Sequence, residues 1–177
     1  MPTTDELLRH FERQVELPWR DDLAPEYRVW ILHYDQALER RIRSRILEFE
    51  LITRRHGKGW FAVDLAALVA PWFASHPLFE GLVEQPDELP GLLPEFADHV
   101  VETVRQSLAG TGPNDLLAVL GAAALFGLMR VSTLIERAAP ATPGRLLVFF
   151  PGRYEGNSYR LLDARDGWNY RATPIPA

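Results

Sequence analysis

At 177 residues and 47 % hydrophobic content, the chain is long enough to bury one core and too short for two independent ones. Its net charge of −5 argues against a dedicated nucleic-acid binder, which is normally basic, so no sequence-specific nucleic-acid binding is expected. With no cysteine, disulfide scaffolds and thiolate metal sites are excluded, and a reducing cytoplasm is the expected compartment.

The first stretch, Thr3–Val15, reads as a helix. Thr4 is its expected cap, Asp5 and Glu6 favour the N-terminus, and Leu7, Leu8, Phe11 and Val15 recur at helical spacing. It lacks the apolar run of a signal peptide, and Leu116–Met129, the longest apolar stretch, is shorter than the roughly 18 residues of a membrane span. Leu17-Pro18-Trp19 ends this helix, so residues 1–20 form an N-terminal helical unit.

Tyr27–Tyr34 is β-branched and aromatic and reads as a central strand. Asp35 follows as a cap, and Gln36 to Arg54 reads as one helix with Leu38, Ile42, Ile46 and Phe49 on its inner stripe. Gly59–Leu65 is the next strand. Strand, helix, strand is the sequence form of a right-handed βαβ unit with parallel strands.

Residues 66–94 form a helical insertion broken by Pro71, Pro77, Pro86, Pro90 and Pro94. Glu95–Leu108 is a helix, Leu116–Leu120 a buried strand, and Val131–Ala138 a short helix. Leu146–Phe150 is five apolar residues long, the pattern of a strand buried on both faces. Pro151-Gly152 stops it. Ser158–Leu162 and Trp168–Ala172 are the next strands, with Asp166-Gly167 as the hairpin turn between them. The expected fold class is α/β: one three-layer domain spanning residues 1–177, with a mainly parallel central sheet, helices on both faces and a C-terminal antiparallel hairpin. Its topology is P-loop-NTPase-like, without a P-loop.

The missing P-loop is a matter of chemistry. Such a loop needs glycine amides, a lysine and a hydroxyl in one strand-to-helix turn. The turn Tyr34-Asp35-Gln36 has no glycine, and Lys58, the only lysine, precedes a strand. No dinucleotide fingerprint is present, so no cofactor is expected. A metal nuclease needs clustered carboxylates; Asp64, Glu155, Asp163 and Asp166 are the acids that could gather, although lone acids at strand ends commonly cap turns. The five histidines show no zinc-ligand spacing and Ser132 no nucleophile elbow. No catalytic or metal residue is therefore assigned.

Arg40, Arg41, Arg43 and Arg45 form a basic run that reads either as a solvated helix face, with Glu39 pairing to Arg43, or as a patch for phosphate or an acidic partner. The C-terminal aromatics offer a similar choice. Tyr154, Tyr159, Trp168 and Tyr170 either cover a sheet face or, with Arg153, Asn157 and Arg160, make the anchors of a protein interface.

The segments Leu17-Pro18-Trp19, Arg28-Val29-Trp30, Phe126–Ser132, Leu147–Tyr154, Asn157–Asp163 and Asp166–Tyr170 together resemble the BrxB family of BREX bacteriophage-exclusion systems. That resemblance implies a cytoplasmic, non-catalytic adaptor that binds a PglZ-type phosphodiesterase and works beside other BREX subunits. It brings no catalytic residues and does not say which residues touch a partner. The competing expectation is a degenerate nucleotide- or nucleic-acid-interacting enzyme, either an NTPase remnant or a metal nuclease.

Overall fold

The computed structural model describes residues 2–161 and 171–176. Along the chain run α1 (Thr4–Glu16), β1 (Val29–His33), α2 (Glu39–Ser44), α3 (Ile46–Arg55) and β2 (Gly59–Asp64). Then come α4 (Ala66–Ser75), α5 (Phe79–Glu84), α6 (Leu89–Ala109), β3 (Asp115–Leu120), α7 (Val131–Ala138) and β4 (Arg145–Phe150). The short strands β5 (Gly152–Glu155), β6 (Ser158–Leu161) and β7 (Thr173–Ile175) close the described chain.

Five strands form a parallel sheet in the order β2-β3-β4-β1-β7. The chain runs from β1 to the far edge at β2, returns through β3 to β4, and crosses β1 to finish at β7. This is the P-loop-NTPase-like order the sequence reading anticipates. Right-handed crossovers explain the layers. The β1-to-β2 connection runs opposite to the later ones, so its helix α3, joined by α1, lies on one face. Helices α6 and α7 lie on the other.

Strand alternation feeds both faces. In β4, Leu147 and Phe149 join Phe11 and Phe49 in one core, while Leu146, Val148 and Phe150 join Val104 and Ile135 in the other. All six residues of β4 are buried, as its central place requires.

Several boundaries differ from the sequence reading, each for a local reason. Thr3, not Thr4, caps α1: it forms a reciprocal capping box with Glu6, while the Thr4 side chain is buried. The expected helix over residues 36–54 is interrupted at Arg45 (φ −113°, ψ 13°), whose guanidinium holds Glu48 at 2.6 Å and also pairs with Asp5. Helix α6 starts at Leu89, before two of the expected breakers, because Pro90 occupies the first turn, where no amide is needed.

Strands β1 and β2 are parallel in one sheet but not neighbours, since β4 and β3 lie between them. Phe61 on β2 is 43 % exposed because β2 is an edge. Strand β7 escaped the sequence reading because Pro174 sits inside it; proline is tolerated there since β7 pairs with β1 alone. An antiparallel hairpin exists, but between β5 and β6, one element earlier than expected. The expected Asp166-Gly167 turn and residues Trp168–Tyr170 lie outside the described residues, and Arg171 and Ala172 belong to no strand.

Candidate functional site

In an open parallel sheet, ligands bind beyond the strand carboxyl ends where successive connections diverge. Here that position is the end of β1 and β4, and two structures occupy its surroundings.

The first is an ion-pair network that links the residue after β1 to the end of β2. The Tyr34 hydroxyl donates to Glu39 Oε2 at 2.6 Å. Arg43 donates to Glu39 Oε1 at 2.8 Å and grips both Asp64 oxygens at 2.8 and 3.1 Å. Asp64 also accepts from the Ala66 amide at 3.0 Å. The Arg43 guanidinium holds the Asp64 carboxyl below its usual range, while burial and then the Glu39 charge push the Tyr34 phenol up.

The network sets two carboxylates against one guanidinium, so its net charge does not favour an anion. Gly121, at φ +75°, leaves the room: an added Cβ would lie 2.5 Å from Asp64 Oδ1. The same network answers the sequence question about the arginine run. Arg43 and Arg45 are tied up in pairs, whereas Arg40 and Arg41 stand on the solvated face.

Asp64, one of the four acids the sequence offered for a metal site, is committed to Arg43. Among the described residues, no three His, Asp or Glu side chains gather closely enough to hold a metal ion. His56 and His76 each meet one glutamate. Asp163 and Asp166 lie outside the described residues.

The second structure is the β5–β6 hairpin. Gly156 (φ 56°) and Asn157 (φ 62°) both adopt left-handed backbone at its tip, the geometry of a type I′ turn, whose twist matches the flanking strands. A Cβ on Gly152 would collide with the Arg160 carbonyl and the Phe150 ring, so glycine is what allows β4 to run directly into β5.

Register then sorts the side chains. Arg153 pairs with Arg160, and Tyr154 with Tyr159. Tyr159 points inward and is fully buried. It packs edge-on to Phe150 at 6.0 Å and lies 4.6 Å from the Tyr154 ring. Tyr154 is half-buried, rests on His33 at 5.8 Å and donates its hydroxyl to Asn157 at 3.2 Å. Arg153 and Arg160 both face solvent.

The expected anchor set therefore divides. Tyr159 is a core residue of the hairpin, so it is not on the surface that a partner would meet. Arg153 and Arg160 form its open face, Tyr154 and Asn157 lie at its rim, and Trp168 and Tyr170 lie outside the described residues. Alternation alone separates Tyr159 from Arg160; what it could not show is that Arg153 stands directly opposite Arg160, because that depends on the length of the turn.

Among the described residues, no helix is long and apolar enough to cross a membrane. Neither the curated proteins nor the solved structures offer a significant match. The family model described as BREX protein BrxB matches residues 69–175, more than half of the chain and a span that includes α6, β3, α7, β4 and the hairpin. The chain therefore belongs to the BrxB family of BREX proteins.

Proposed function

We infer that this BrxB protein is a non-catalytic adaptor of a BREX phage-defence assembly, and that it engages a PglZ-type phosphodiesterase through the outer face of the β5–β6 hairpin. The family match over residues 69–175 carries the reading. Two features of the hairpin support its choice as the contact.

Arg153 and Arg160 are directly opposed on an exposed face, and like charges in that relation destabilise a strand pair. An acidic partner surface would turn this cost into attraction. Arginine is also among the residues that most often anchor interfaces, and its planar fork holds a carboxylate with two bonds. The pairing of Arg43 with Glu39 and Asp64 at the end of the sheet favours this reading over an NTPase remnant.

The test is capture of the PglZ-type protein by an Arg153→Ala/Arg160→Ala double variant. Neither side chain is part of the core, so circular dichroism and melting should match the unaltered protein. Affinity should fall at least tenfold, about 1.4 kcal/mol. Unchanged affinity in the folded variant would move the contact off the hairpin.

A further inference from the structure

The amino end of the sheet holds a charge that the fold leaves unbalanced. Arg145 is the first residue of β4 and is only 3 % exposed. Arginine keeps its charge in proteins, and burying a charge is costly unless an opposite charge meets it. Among the described residues, no carboxylate forms an ion pair with Arg145. Its guanidinium donates to the Gly144 carbonyl at 2.9 Å and the Arg20 carbonyl at 3.2 Å. Among the described residues, those two carbonyls are the acceptors its guanidinium meets.

The surroundings add positive charge. Arg28 donates only to main-chain carbonyls, those of Asp21, Leu23, Thr142 and Pro143. Lys58 donates to the Asn114 side-chain oxygen at 2.9 Å and sits 4.6 Å over the Trp19 ring. Asp22 is close enough to feel Arg28, but Arg20 already holds it at 2.6 Å. Burial first, and the Arg28 charge second, push the Arg145 pKa down. Arg145 and Arg28 thus stand together, and the carboxylate that reaches this end of the sheet, Asp22, is already paired with Arg20.

Arg145 also lines a cleft of about 290 Å³, walled by Trp19, Trp30 and Tyr27, with Leu17 and Leu23 at its side. The guanidinium lies 5.2 Å from the Trp19 ring and 5.8 Å from that of Trp30, while Trp19 and Trp30 meet edge to face at 5.4 Å. The volume is at the small end for ligand clefts, and flat aromatic walls around one polar anchor are their usual composition.

We propose that this cleft binds a small aromatic anion, its carboxylate or phosphate group held by Arg145 and its flat body lying between the indoles and Tyr27. The ligand supplies the negative charge that the fold withholds. This site is on the opposite end of the sheet from the hairpin and does not depend on the adaptor reading.

Calorimetric titration, with tryptophan fluorescence as a second readout, tests the site using three probes. Indole-3-acetate carries a carboxylate, phenyl phosphate a phosphate, and tryptamine the indole with a cation. The expected result is a Kd of about 1 mM or tighter for at least one anion, with tryptamine at least tenfold weaker. Whichever anion binds identifies the headgroup chemistry. Arg145→Met and Trp19→Leu, each checked for folding, should lose at least tenfold. Because a buried variant can fail to fold, the comparison of anions with tryptamine on the unaltered protein stands by itself. Failure of both anions to bind, equal binding of tryptamine, or full affinity in a folded Trp19→Leu variant would overturn the site.

Discussion

At the carboxyl end of the sheet, Arg43 is one-third exposed and yet held by Asp64 and Glu39. At the amino end, Arg145 is far more deeply buried and, among the described residues, meets carbonyl oxygens and indole rings rather than a carboxylate. The contrast is instructive because the deeper charge is the one that needs a counter-charge more. Where the protein provides both partners, the pair serves the fold and excludes ligands. Where it provides one partner only, the charge is left for the ligand proposed above.

The largest test addresses what the two ends share, which is β4. Val148 is 1 % exposed and lies between Ile31 of β1 and Val119 of β3. Val148→Asp places an unpaired charge in that interior, which should cost several kcal/mol against a total stability of roughly 5–15 kcal/mol and yield insoluble protein. Soluble variant protein with a cooperative melt would mean that the centre of the sheet is elsewhere.

A smaller effect separates the ends from each other. Asp64→Asn should cost about 1 kcal/mol in urea denaturation, the scale for a charge-assisted pair that is partly open to water. Arg145→Met should cost less than that, despite its deeper burial, because it removes a desolvated charge along with the carbonyl bonds and ring contacts. If the Arg145 variant proves the less stable of the two, the cation at the amino end is structural and the contrast fails.

The smallest effect concerns His33, beneath the hairpin. Its Nε2 lies 3.0 Å from the Pro176 carbonyl, its Nδ1 is buried without a protein partner, and burial lowers its pKa below 6.5. As pH falls, the unfolded chain takes up this proton before the folded chain does. Stability from this residue is therefore complete above pH 6.5 and declines below it until the folded-state pKa is passed. A His33→Phe variant should show a shallower fall in melting temperature between about pH 7 and pH 5, where histidine titrates. Parallel curves would mean that the other histidines carry the whole dependence.

Much of this architecture is local in origin and so was legible in the chain. Leu146–Phe150 reads as a doubly buried strand because a five-residue apolar run stopped by Pro151-Gly152 is too short for a buried helix. The absence of glycine after β1 excluded a phosphate loop, because that chemistry depends on neighbouring amides. The alternation in Ser158–Leu161 put Tyr159 and Arg160 on opposite faces, although only the packed hairpin shows that the Tyr159 face is the buried one. The BrxB resemblance likewise rests on short runs of residues that are read directly.

Long-range geometry decided the rest. The edge strand beside β1 was invisible, because β7 was hidden behind Pro174. The pairing of Arg153 with Arg160 required the two-residue turn at Gly156-Asn157. Arg145 gave no local signal at all: a single arginine before an apolar run resembles a strand's solvated start. Its burial arises only when Trp19, carried 126 residues away in sequence by the end of α1, folds over it beside Trp30. Electrostatic balance depends on which groups meet in space, and that is fixed by the packing of α1 against the sheet.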